Sequence, residues 1–207
     1  MNSVVPLTRD WPVVDRVQSL VDGESPPLRA GGVDLPIVNP ATEEALTVLR
    51  EADAAEVDAA VASARRAFET GPWPRMDINE RKDILYALRD RLRSHAMARN
   101  FEVFAEVAST LHGEAYTQAK GWLTVVTREP KGVAGLISPW NAPLSLAAMR
   151  IATCIPWGNT CVLKPSEYTP LSVRRMVEIL HEAGLPPGVV NLVNGRGAVT
   201  GAALVRH

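Results

Sequence analysis

Cysteine is scarce in this chain. Cys154 and Cys161 are the only two in 207 residues, too few for a disulfide scaffold or a zinc cluster. A reducing compartment, the cytoplasm, is the simpler expectation. Charge of one sign is also lacking: 22 Lys and Arg stand against 23 Asp and Glu, for a net charge of −1. Affinity for nucleic-acid phosphates needs a concentrated basic surface, so no nucleic-acid partner is expected. Arg65-Arg66 and Arg174-Arg175 read as solvated helix faces. Long apolar runs are missing too. Residues 1–21 mix Arg9, Asp10, Asp15 and Arg16 among apolar neighbours, which excludes the apolar core of a signal peptide. The longest apolar region, 132–163, is interrupted by Asn141, Arg150 and three prolines. A membrane span needs roughly 20 nearly unbroken apolar residues, so no membrane partner is expected. His95, His112, His181 and His207 share no ligand spacing, and no metal is expected.

What is present is ordinary globular composition, 46% hydrophobic and 22% charged. Residues 1–35 hold Pro26-Pro27 and Gly31-Gly32 without a sustained period and read as an extended arm with short strands. Leu46, Val48 and Leu49 predict a strand after a turn at Val38-Asn39-Pro40. From Ala54 the period becomes helical: Val57, Ala60, Val61, Ala64 and Phe68 share a face, and Gly71-Pro72 ends it. A second helix is expected over 79–95, with Ile84, Leu85, Leu88 and Leu92 inward and Arg81, Arg89 and Arg93 outward. A third is expected over 101–111, with Phe101, Phe104, Ala105, Ala108 and Leu111 inward. Trp73, Trp122 and Trp157 flank turns and are expected to close the core.

From residue 132 the pattern alternates. Short apolar runs at 132–138, 159–163 and 188–193 predict buried strands, and 143–155, 170–183 and 198–207 predict helices. The helix from Pro170 has Thr169 as candidate cap, Gly184 suited to the left-handed end and Pro186-Pro187 beyond it. Alternating strands and helices mean an α/β fold with a parallel sheet. Such sheets bind ligands at the carboxyl ends of their strands, and one polar cluster stands at each end: Ser138-Pro139-Trp140-Asn141, Lys164-Pro165-Ser166-Glu167 and Asn194-Gly195-Arg196-Gly197. The glycines at 195, 197 and 201 are a weak signal alone, because a tight strand-to-helix turn is the favoured explanation for them. Lys164 and Glu167 say more. An exposed ion pair is the common explanation for this spacing, but Pro165 between them favours both side chains facing the crevice, where a carboxylate accepts ribose hydroxyls.

The segments Gly135-Leu-Ile-Ser-Pro-Trp-Asn-Ala-Pro-Leu144, Gly158-Asn-Thr-Cys-Val-Leu-Lys-Pro-Ser-Glu167 and Glu182-Ala-Gly-Leu-Pro-Pro-Gly-Val-Val-Asn191 resemble the NAD(P)-dependent aldehyde dehydrogenase superfamily, in its order and at its spacing, from about Leu35 to His207. Their wording is most similar to that of muconic-semialdehyde dehydrogenases. The resemblance implies a three-layer α/β/α fold with a Rossmann-type parallel sheet, incomplete at the C-terminus, with 36–207 a partial NAD-binding domain and 113–128 similar to the family's oligomerisation strands, hence a homo-oligomer if those strands are intact. It implies an oxidoreductase taking an aldehyde to a carboxylic acid with NAD. Asn141 would correspond to the amide that donates to the developing oxyanion, an effect worth about 3–4 kcal/mol where such donors were removed elsewhere. Ile137, Ser138, Pro139 and Trp140 would line the nicotinamide side. Lys164, Ser166 and Glu167 would hold the adenosine ribose, and Gly195 and Gly197 would flank the adenine-side turn. Glu167 would repel a 2′-phosphate, so NADP is the less favoured cofactor.

The chain also departs from that family. Nothing matches the motifs of its nucleophilic cysteine or its general-base glutamate, and the catalytic domain is absent. Cys154 and Cys161 read as core thiols. Between Leu92 and Phe104 the family carries more helix, with a threonine-glycine-lysine-proline segment absent here. The expectation is therefore a truncated chain inactive alone. A non-catalytic NAD-binding or subunit-interaction module and an inactive gene fragment remain open as alternatives.

Overall fold

A computed structural model describes residues 14–92 and 97–207. The centre is a parallel sheet in the order β6-β7-β8, formed by β6 (Val133–Ile137), β7 (Thr160–Lys164) and β8 (Val190–Leu192). The register pairs Ile137 with Lys164 and Leu163 with Leu192. Every residue of β7 is buried, as a central parallel strand covered on both faces must be. The strand β6 was expected to be buried as well. It lies instead at the sheet edge, and Ile137 is exposed.

Helices cover both faces, which makes the three layers expected from sequence. On one side α4 (Pro143–Cys154) and α5 (Pro170–Glu182) pack Ala147, Ala148, Ile151, Val173, Met176 and Leu180 against Cys161, Leu163 and Leu192. On the other, α1 (Ala54–Glu69) and α6 (Ala202–Arg206) bring Val57, Ala60, Ala64 and Leu204 onto Val162 and Val193. Thus alternate residues of one strand serve two cores, which is the period-two geometry of a strand. Thr169 precedes α5 but does not cap it. Its hydroxyl is buried without a partner among the described residues, and Pro170 at the first turn makes the start instead.

The second helix, α2 (Ile78–Arg91), begins at Asp77 in a capping box with Glu80. Leu85, Leu88 and Leu92 are buried as expected, but Arg81 does not point outward: it donates to the carbonyl of Trp73. Residues 93–96, with Arg93 and His95, lie outside the described residues. The third helix, α3 (Ala98–Ala108), begins and ends three residues earlier than expected and leaves Leu111 exposed. Of the three tryptophans, Trp73 is fully buried and Trp157 stacks edge-on against Phe104, whereas Trp122 is 76% exposed.

The arm is anchored. Strand β1 (Arg16–Val17) pairs parallel with β3 (Ala45–Arg50), which pairs antiparallel with β2 (Asp34–Val38). Leu20 bridges to Leu192, extending the parallel sheet by one antiparallel contact. Arg174, expected on a solvated face, donates to the Gln18 carbonyl and to Ser25 Oγ and so ties the arm to α5. No helix among the described residues is long and apolar enough to cross a membrane.

Candidate functional site

The three polar clusters stand where the sheet ends. Asn141 and Trp140 are exposed on the loop from β6 to α4, with Pro139 half-buried and Ser138 buried beneath them, its amide donating to the Lys164 carbonyl. Ser166 is buried. Its hydroxyl accepts from the Tyr168 amide and its carbonyl from that of Thr169, so this side chain shapes the turn after β7.

Lys164 differs from the expectation of two side chains open to the crevice. It is 3% exposed, and its ammonium donates to the carbonyls of Pro165 (2.7 Å) and Gly195 (2.6 Å). Glu167 is 25% exposed, with its carboxylate 3.8 Å from Nζ. Burial pulls the Lys164 pKa down, and Glu167 opposes it. The sequence placed both residues at one strand end; it did not show that the backbone carbonyls around the ammonium would turn Lys164 inward.

The Gly195-Arg196-Gly197 turn after β8 is fixed by a residue that the sequence reading missed. Glu51 follows β3, and its carboxylate accepts from the Arg196 amide (2.9 Å), from Nε (2.9 Å) and from Nη2 (2.6 Å). The Arg196 hydrogen bonds hold Glu51 below the usual carboxylate pKa, against the effect of burial. Gly195 has φ +152 and is buried, while around Gly197 nothing among the described residues stands within 4 Å of where a Cβ would be. The signal for Glu51 was available. Thr47, Leu49 and Glu51 are the buried alternate residues of one extended segment, so a carboxylate continues an inward-facing row.

Both thiols are buried. Cys154 Sγ donates to the Thr160 carbonyl at 3.8 Å; the neighbouring thiol lowers the Cys154 pKa and, with burial, raises that of Cys161 well above the usual thiol range. No group of three or more His, Cys, Asp or Glu fit to hold a metal occurs among the described residues.

A parallel sheet with helices on both faces and polar turns at its carboxyl end defines the open α/β class, whose ligands enter at that end. Within it, the chain belongs to the aldehyde dehydrogenase family, whose profile matches residues 29–99 and 95–207. Rat cytosolic aldehyde dehydrogenase 1 is 39% identical over 202 residues, covering 85% of this chain and 40% of the relative. Mitochondrial aldehyde dehydrogenase family 2 member B4 of Arabidopsis thaliana is 35% identical over 219, covering 94% and 40%. Among solved structures, the NAD+ complex of an aldehyde dehydrogenase from Bacillus cereus superposes with a TM-score of 0.88 at 35% identity, covering 93% of this chain and 44% of that one. The chain thus spans about two fifths of the length of these curated relatives, 40% in each.

The alignments also run longer than the part of this chain that they use. An alignment of 202 positions using 85% of 207 residues, about 176, leaves about 26 positions of the rat protein without a counterpart. The Arabidopsis alignment, 219 positions over 94% or about 195 residues, leaves about 24. The family match falls into two parts that overlap at 95–99, at the start of α3.

Proposed function

We propose that this chain forms the adenosine side of a crevice used in NAD-dependent oxidation of an aldehyde to a carboxylic acid. The observation that carries the reading is the Lys164 and Glu167 pair at the end of the central strand, beside the Gly195–Gly197 turn. These residues fit the dinucleotide. Glu167 has exposed carboxylate surface for ribose hydroxyls, Lys164 has one ammonium hydrogen beyond its two carbonyl bonds, and Gly197 leaves its backbone open for a close approach. Ile137, Ser138, Pro139 and Trp140 would line the nicotinamide side, and the exposed Asn141 would donate to the aldehyde oxygen. Bound there, the dinucleotide would supply the hydride acceptor. The wording of the strand-end segments favours a semialdehyde of the muconic type as substrate.

Titration of NAD and NADP against the chain and its Glu167→Gln variant tests this. With the adenosine side alone, affinity near the millimolar level is expected, about 4 kcal/mol, with NAD preferred and the preference narrowed in Glu167→Gln. Equal affinities in the unmodified chain remove Glu167 from the role. Failure of the folded chain to bind either nucleotide overturns the reading.

We further propose that the ribbon of β4 (Glu114–Tyr116) and β5 (Thr124–Val126) is a contact between subunits. All six strand residues are exposed, and Trp122, Leu123 and Val125 present an apolar surface that nothing else among the described residues covers. Sedimentation should show self-association that is lost in Trp122→Ser/Leu123→Ser; the same mass in both chains contradicts it.

A further inference from the structure

We propose that Glu51 sets the cofactor preference of this crevice by engaging the Nε–Nη2 edge of Arg196 and neutralising its charge, so that Arg196 is not offered as an uncompensated cation to a 2′-phosphate. The inference rests on the cofactor reading above. It concerns a residue outside the strand-end clusters, which acts through its neighbour and is therefore a positioning residue.

The geometry is specific. An arginine presents Nε and Nη2 as a planar fork matched to carboxylate or phosphate oxygens. In Arg196 this fork is held at 2.9 and 2.6 Å by Glu51, whose Oε1 also takes the Arg196 amide. The Glu51 side chain is 4% exposed and that of Arg196 is 48% exposed, so the carboxylate lies beneath and the guanidinium at the rim. The Arg196 turn is continuous with the ribose pair, because the carbonyl of the preceding Gly195 accepts from Lys164 Nζ. Glu51 is also wedged under the turn: a Cβ on Gly195 would come within 3.0 Å of Glu51 Cγ.

Charge bookkeeping points the same way. Two cations, Lys164 and Arg196, meet two carboxylates, Glu51 and Glu167, at this end of the sheet. Lys164 has two of its three ammonium hydrogens on backbone carbonyls, so Arg196 is the cation with geometry suited to a phosphate. With Glu51 charged the cluster is neutral and matches a ribose. With Glu51 neutral it carries one net positive charge and an unengaged fork. Glu167 excludes a 2′-phosphate by direct repulsion; Glu51 excludes it by neutralising Arg196 and holding its Nε–Nη2 edge.

The test is calorimetric titration of 5′-AMP and 2′,5′-ADP, which differ only in the 2′-phosphate, against the chain, Glu51→Gln, Arg196→Gln and the double variant. Glu51→Gln should raise the affinity for 2′,5′-ADP relative to 5′-AMP by about tenfold, and the added Arg196→Gln should abolish that rise. A purely structural role for Glu51 lowers both affinities together and leaves the ratio unchanged, which overturns the inference. Arg196→Gln alone should lower the ratio, because it leaves the Glu51 carboxylate uncompensated. The double variant restores a neutral cluster and should return the ratio of the unmodified chain; a ratio clearly below it shows that Arg196 reads the phosphate with Glu51 in place, and overturns the inference. Binding of neither nucleotide by the folded chains overturns the cofactor reading itself, and this inference with it.

Discussion

Alanine at Gly195 is expected to destabilise the chain by about 2–6 kcal/mol and to remove nucleotide binding. Two costs combine. At φ +152 a residue with a Cβ is strained, at about 1–3 kcal/mol. The new methyl also overlaps Thr200 Oγ1 and comes within 3.0 Å of Glu51 Cγ, and overpacking of this kind costs a further 1–3 kcal/mol or so. Neither neighbour can yield freely. Thr200 donates to the Ala52 carbonyl at 2.8 Å, and Glu51 is held by Arg196. Relief therefore requires the turn to move, and with it the carbonyl that accepts from Lys164. Gly197 is the control, since nothing among the described residues stands within 4 Å of its Cβ position. Gly197→Ala should stay within about 0.5 kcal/mol of the unmodified chain while still hindering a close-approaching ligand. Urea unfolding with an unchanged slope measures the first effect. Equal midpoints for the two variants would show that the Gly195 turn is not strained against its neighbours.

The contrast between these glycines shows what was legible in the sequence. Their spacing marked a turn after a strand but could not say which glycine was compressed and which faced open space, because the neighbours come from residues 51 and 200. The parallel sheet was legible because local periodicity and end signals carry it: the runs at 159–163 and 188–193 became β7 and β8, and Gly184 has φ +99 at the end of α5. Burial of β6 was not legible, because an apolar run does not reveal whether a strand has one neighbour or two. Glu51 was missed for a similar reason. Its partner Arg196 is 145 residues away, and only the alternation of Thr47, Leu49 and Glu51 hinted that the carboxylate points inward. Lys164 was placed at the right strand end but not in the right state. A basic side chain was expected to face the open crevice, and the two carbonyls that turn it inward belong to a loop and to another strand's exit.

Trp73→Ala is expected to have the largest effect on stability away from the crevice. The side chain is fully buried, in one core with Leu85, Leu88 and Ile155, and its indole N–H donates to the Ile155 carbonyl at 3.0 Å. Truncating a buried tryptophan costs about 3–5 kcal/mol, a large part of the roughly 5–15 kcal/mol that holds a domain together. At about 2–4 °C per kcal/mol for a chain of this size, the melting temperature should fall by about 6–20 °C. Trp73→Phe separates the contributions: it keeps most of the apolar contact but removes one of the two hydrogen bonds to the Ile155 carbonyl, which still accepts from the Gly158 amide at 3.0 Å, for about 0.5–1.5 kcal/mol. A Phe variant as unstable as the Ala variant would assign the effect to the hydrogen bond, and an Ala variant within about 1 kcal/mol of the unmodified chain would contradict the packing role. The position matters for the crevice as well. Ile155 opens the short turn Ile155–Trp157 that leads through Gly158 into β7, the strand ending in Lys164. Trp73 thus supports the entrance to β7, while Lys164 and Glu167 lie at its exit. Because the strand between them is buried along its whole length, loss of Trp73 should lower nucleotide binding only in proportion to the unfolded fraction. A fall in affinity at temperatures where the variant is fully folded would instead show that the two ends of β7 are coupled.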